Sequence, residues 1–177
     1  SSQDDVVAAL NAQSGITGYA QRGVSEARLE ALHLKALDHA PNLILDDAAE
    51  LTARLVHQRL DLLPGLQGMC EQTTTGVQRI QAMARDGAVT FPAYAVNDTP
   101  MKHEFDNIHG TGESSLTNLL LTSNLLLAGK QVVVAGFGDC GQGIAHKARA
   151  WGAQVTVTEV EPRQALRSAH PRDDAEI

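Results

Sequence analysis

The chain has 177 residues, 43% hydrophobic and only 3% aromatic, so its core must be built from Leu, Val, Ile and Ala. A formal charge of −7 argues against general affinity for nucleic acid or an anionic membrane surface, and no apolar run is long enough to span a bilayer. Cys70 and Cys140 have no CxxC partner and no metal-ligand spacing accompanies them, so neither a disulfide framework nor a zinc site is implied, which suits a reducing compartment.

The first residues, SSQDDVV, carry no signal-peptide pattern and no initiator Met, so a cut or processed start is expected. Ser and Asp ahead of an apolar series predict a helix over SSQDDVVAALNAQ. GITGYA is a short strand candidate. A helical period runs from Ser25 to Pro41, and NLILDD is a compact strand ending in Asp46 and Asp47. AAELTARLVHQRL is a helix, GLQGMCE a strand, and QTTTGVQRIQAMARDG a helix closed by Gly87. VTFPAYAVND reads as the next strand. A loop containing MKHEFDN follows, then an apolar helix over SSLTNLLLTSNLLLAGK. QVVVAGFG, CGQGIAHKARAWG, QVTVTEV and EPRQALRSAH give strand, helix, strand and a helix start with Pro162 early.

Strands alternating with helices predict an α/β protein with parallel sheets, in which ligands collect beyond the C-terminal strand ends. Asp46 and Asp47, the stretch 71–75, Asn97 and Asp98, Gly136 to Gly141, and Glu159 all fall there. Gly136, Gly138 and Gly141 make G-x-G-x-x-G between a strand and a helix. The first glycine permits the tight turn, the second a close pyrophosphate, the third close helix packing, with phosphates held by helix N-terminal amides. Glu159, 23 residues after Gly136, can accept from ribose hydroxyls and would repel a 2′-phosphate, favouring NAD over NADP.

Beyond that turn, SSQDDVVAAL, NLILDDAAELT, LLPGLQG, TTTGVQRI, VNDTPMKHEFDN, GTGESSL, LLAGKQVVVAGFGDCGQG and VTEVEP together resemble S-adenosylhomocysteine hydrolases, with GTGES and LLLAGK nearer the archaeal and thermophilic branch. The resemblance implies part of a substrate domain with a parallel sheet, followed by the first half of a Rossmann NAD-binding domain. Residues 1–112 would be the substrate domain and hinge, with its N-terminal part missing. Residues 113–177 would be the incomplete NAD domain. It further implies reversible cleavage of S-adenosylhomocysteine to adenosine and homocysteine, NAD as cofactor, and a cytoplasmic homotetramer. Transient oxidation at C3′ makes the C4′ proton acidic, so that homocysteine leaves by elimination and water adds. The chain alone, with half an NAD site, is expected to be inactive.

By the same resemblance, Lys102, Asp106 and Asn107 are catalytic. Lys102 would take the 3′-hydroxyl proton, Asp106 would orient it or bind hydroxyls, and Asn107 would relay to the nicotinamide amide or the C4′ proton. Asp47 is a candidate for C4′ proton chemistry, or else a helix cap; Asp46 is more readily structural. Thr73, Thr74 and Thr75 would hold the nicotinamide end of NAD, or else cap their helix. Gly136, Gly138, Asp139, Gly141 and Glu159 would bind the rest of the cofactor. One position departs from the family pattern: the substrate-contacting second glutamate is replaced by Gln72, which can hydrogen-bond a hydroxyl but cannot take a proton. His33, His39, His57, His146 and His170 read as surface or packing residues on helices. His103 matches no catalytic position, and His109 stands where many relatives have Tyr. Two other readings compete. One is an impaired relative that binds NAD or a nucleoside and regulates a partner. The other is a simple hydroxy-acid dehydrogenase, against which MKHEFDN argues.

Overall fold

Short parallel strands organise both halves of this computed structural model, which describes residues 2–169. The chain divides into two compact units, Ser1–Asn97 and Asp98–Ile177.

In the first unit the elements run α1 (Asp4–Asn11), α2 (Glu26–Leu37), β1 (Leu43–Asp46), α3 (Glu50–Gln58), a 3-10 segment (Leu60–Gly65), β2 (Gly68–Glu71), α4 (Thr74–Arg85) and β3 (Ala93–Ala95). The sheet order is β1-β2-β3, all parallel, with Asp46 opposite Glu71 and Glu71 opposite Ala95. All three strands therefore end at one edge. α2 starts as its sequence directs: the Ser25 hydroxyl accepts from the Arg28 amide. α4 ends on Gly87 at φ +76, with the Ala88 amide reaching back to Met83 O. Leu37, Leu55 and Met69 are almost sealed in the core, each stabilising the fold by about 2–3 kcal/mol of burial.

In the second unit a π-helix (Lys102–Gly110) runs directly into α5 (Thr111–Ser123), followed by β4 (Gln131–Ala135), α6 (Asp139–Ala150), β5 (Gln154–Thr158) and α7 (Pro162–Ala169). β4 and β5 pair in parallel, with Ala135 opposite Thr158, so both again end at one edge. Leu116, Leu127, Ala148 and Ala153 form one buried cluster, and Val134, Phe137 and Ala145 another.

Several local expectations are corrected. GITGYA is not a strand; it is pinned instead by Asn11, whose Oδ1 accepts from the Gly18 amide at 2.6 Å while its Nδ2 donates to Gly18 O. Without a strand to pair with, an isolated extended run has no ladder. The strand over VTFPAYAVND shrinks to three residues, because Pro92 has no amide to donate and Met69 N bonds its carbonyl. MKHEFDN is helical, not a loop. The apolar helix after it stops at Ser123, because Asn124 takes φ 54 and its amide closes on Leu120 O. α1 is capped by neither Ser nor Asp: Gln3 holds that position with no side-chain bond. His170 lies outside the described residues. No helix among the described residues is long and apolar enough to cross a membrane.

Candidate functional site

In the first unit the site gathers at the shared strand edge. A cleft of about 310 Å³ is lined by Leu45, Asp46, Asp47, Cys70, Glu71, Gln72 and Val96. The two aspartates divide the labour. Asp46 is 7% exposed and accepts from the amides of Asp47, Leu51 and Thr52 and from the Thr52 hydroxyl at 2.6 Å. It is therefore Asp46 that satisfies the orphan donors at the start of α3, and Asp47 does not serve as the cap. Asp47 points into the exposed cleft, where its Oδ2 accepts from Gln72 Nε2 at 3.2 Å.

Glu71 sets the turn between them. It is 1% exposed. Its two oxygens accept from Ala48 N (3.1 Å), Ala49 N (2.9 Å), Thr73 N (2.8 Å) and the Thr73 hydroxyl (2.7 Å). Ala48 and Ala49 sit at φ 59 and 55, a left-handed conformation that alanine adopts only at a cost of about 1–2 kcal/mol each. The buried carboxylate offsets that cost, since the turn aims both amides at it as an anion nest. Thr73 serves two neighbours, accepting from Gly76 N at the start of α4 and from Ala48 N. The Thr74 hydroxyl accepts from the Asn97 side-chain Nδ2 at 3.1 Å. Thus Gln72 is the member of this pair of residues that faces the cleft beside Asp47, and Glu71 is fully occupied as a structural anchor. Arg79 closes the rear, donating to Ala48 O and to Glu50, whose pKa is held below the ordinary carboxylate value by Arg79 first and Arg54 second.

The second unit holds two groups. In the first, Lys102 Nζ contacts Asp106 Oδ2 at 2.9 Å and donates to Asn107 Oδ1 at 2.8 Å. Asn107 is 5% exposed, while Asp106 is open to solvent. In the second, the glycine turn has the form its spacing predicts. Gly136 is at φ +95 and its amide bonds Thr158 O at 2.7 Å, joining the ends of β4 and β5. A Cβ on Gly141 would overlap the Gly136 carbonyl, whereas the Cβ position of Gly138 faces open space. The turn is therefore closed on its helix side and open where a phosphate would approach. Glu159 Oε2 accepts from Phe137 N at 2.5 Å, and Oε1 from Val160 N and Glu161 N. The Glu161, Phe137 and Val160 amides, in that order, hold its pKa below the ordinary value. Glu159 thus stands beside the glycine turn, bonded to the Phe137 amide within it. Asp139 opens α6, and its Oδ2 lies 3.5 Å from His103 Nδ1.

Sequence reasoning missed Thr52 and the anchoring role of Glu71. An acid at the end of an otherwise apolar strand, GMCE, was the available signal for Glu71. Among the described residues, no side-chain bond ties Thr75 to the cleft.

Residues 107–171 match the family model described as the NAD-binding domain of S-adenosyl-L-homocysteine hydrolase. The chain is 52% identical over 167 residues to an adenosylhomocysteinase of Halobacterium salinarum, covering 94% of this chain and 39% of that protein. It is 48% identical to that of Haloquadratum walsbyi over 94% of this chain and 38% of the relative. Against that of Thermococcus kodakarensis it is 49% identical, with 94% and 39% covered. The chain thus spans less than two fifths of the curated relatives it matches. The resemblance read from the motifs is borne out across nearly the whole chain. So is NAD as the cofactor, and the open Gly138, closed Gly141 and adjacent Glu159 fit it.

Proposed function

We propose, from this kinship with adenosylhomocysteinases, that the chain is part of an enzyme that reversibly hydrolyses S-adenosylhomocysteine to adenosine and homocysteine. The observation that carries the proposal is the Lys102–Asp106–Asn107 cluster in a unit that also bears an NAD-type glycine turn. Residues 1–112 then serve as substrate domain and hinge and 113–177 as NAD domain, with the working form a cytoplasmic homotetramer.

NAD, when bound, supplies the acceptor for the C3′ hydride. Lys102, as the neutral amine, takes the 3′-hydroxyl proton and becomes the ammonium ion, with Asp106 and Asn107 holding its Nζ between them. Asp47 handles the C4′ proton from the edge of the cleft. Gln72 keeps its Nε2 on Asp47, which leaves its carbonyl oxygen to accept from a ribose hydroxyl. Thr73, Thr74 and Thr75, at the start of α4, would hold the nicotinamide end of the cofactor. Gly136, Gly138, Asp139 and Gly141 receive the pyrophosphate, and Glu159 the adenosine ribose. The direct test incubates the full-length protein with adenosine and homocysteine. Accumulation of S-adenosylhomocysteine is expected, and its absence at saturating substrate removes the hydrolase assignment.

One observation favours a second reading. Asp46 and Glu71 are held by backbone amides, so with Gln72 in place Asp47 is the cleft carboxylate left to face a ligand, with an amide beside it. Such a protein could bind NAD and a nucleoside with little turnover and act through a partner. Reduction of bound NAD by adenosine without any S-adenosylhomocysteine product would select this alternative.

A further inference from the structure

We infer that the π-helical register of Lys102–Gly110 is a positioning device for Lys102, and that Gly143 of α6 is the positioning residue that holds it. The inference rests on the proposed role of Lys102 and adds how its geometry is enforced.

The spacing K-x-x-x-D-N cannot place both partners on the lysine in an α-helix. Asp106, four residues on, lies on the same face as Lys102, but Asn107, five residues on, lies about 140° around the axis. Yet Lys102 Nζ is bonded to both, at 2.9 and 2.8 Å. A π-helix bonds each carbonyl to the amide five residues on and so widens the turn beyond 3.6 residues, which lets Asp106 and Asn107, four and five residues on, flank Lys102 on one face. The Thr111 amide follows this register in part, reaching back five residues to Asp106 O while also bonding Ile108 O.

Nine residues of π-helix is long for an element that usually appears as a single wide turn, so packing from outside must hold it. That packing is backbone on backbone. A Cβ on Gly143 would overlap the carbonyl of Ile108, the residue next to Asn107. Gly112, one turn beyond Ile108, has the same relation to α6: its Cβ would sit 2.6 Å from Gly143 C. Both glycines are buried. Neither touches the lysine, but any side chain at Gly143 must push Ile108 away and carry Asn107 off Lys102. Gly143 also lies one turn into the helix that begins at the glycine turn. The helix facing the cofactor phosphates therefore braces the segment carrying the lysine.

The test uses the full-length protein and the single-turnover absorbance of NADH formed on adding adenosine, for Gly143→Ala, Asn107→Ala and the double variant. Each single change should slow the first hydride transfer at least tenfold with bound NAD retained. The double variant should be no slower than the slower single one, because both remove the same contact. An unchanged rate in Gly143→Ala, or losses that multiply in the double variant, overturns the inference. Should Gly143→Ala fail to fold, a crystal structure of the unmodified protein decides. Bonds spanning five residues with Asn107 on Lys102 support the inference, and an ordinary α-helix over residues 102–110 overturns it. If the unmodified protein gives no NADH at all, the proposed function fails, and the register stands or falls on that crystal structure.

Discussion

The carboxylate of Glu71 fills the space that a Cβ on Gly76 would need. It is held there by the amides of Ala48, Ala49 and Thr73 and by the Thr73 hydroxyl, so it has no room to swing aside. The turn that presents Asp47 and Gln72 is built around this buried carboxylate and its neighbour Asp46.

Gly76→Ala should therefore destabilise the first unit by about 1–3 kcal/mol, although an alanine at that helical position would ordinarily stabilise. Glu71→Ala should cost on the order of 3 kcal/mol, since it strands buried amides and removes the counterpart of two left-handed alanines. Urea unfolding measures both. A neutral or stabilised Gly76→Ala protein would contradict the anchoring role.

Gln72→Glu should raise turnover if the amide at that position limits the chemistry. It also trades a donor for a second carboxylate at the 3.2 Å contact with Asp47. Like charges at that distance share a proton, so the pair in the variant should stay singly protonated to a higher pH and shift the acid limb of the rate profile upward. Turnover equal to that of the natural protein would remove Gln72 as the limiting departure.

Gly141→Ala should lose bound NAD, because the added methyl meets the Gly136 carbonyl and opens the turn. Glu159→Gln should keep the turn but weaken NAD at least tenfold and narrow its advantage over NADP, since the backbone amides now keep an anionic carboxylate beside Phe137 N. Calorimetric titration with both nucleotides separates the two effects. Equal NAD affinity in Glu159→Gln would place the ribose elsewhere.

The first unit should loosen in mild acid through His33. Burial, then the Arg54 guanidinium, hold its pKa below the ordinary 6.5, and its Nδ1 is buried without a partner. The folded-state pKa is the lower one, so the unfolded chain binds the proton first. The contribution is whole above pH 6.5 and declines as pH falls below it. His33→Gln should flatten this part of the stability profile between about pH 7 and pH 5. An identical slope in the variant would assign it to other groups.

Much of this architecture was legible in the sequence, for physical reasons. The helix starts at Ser25 and Thr73 are announced by capping hydroxyls, and the 136–141 turn by glycines that only that geometry requires. Asp46 and Asp47 were not separable by spacing alone, because either can cap a helix; only the fold shows which one turns inward. The π-register could not be read at all. Periodicity distinguishes 3.6 from 2 residues per repeat, but a widened turn depends on what packs against it, here Gly143 and Gly112 far along the chain. GITGYA failed for a similar reason, since a strand exists only where a neighbour accepts it.

The most direct measurement is the absorbance of enzyme-bound NAD in the full-length protein on addition of adenosine alone. The account predicts a rise in the NADH band in the natural protein and its loss, by about 10²–10⁴-fold in rate, in Lys102→Met. No NADH signal in the natural protein, or an undiminished rate in Lys102→Met, would contradict it.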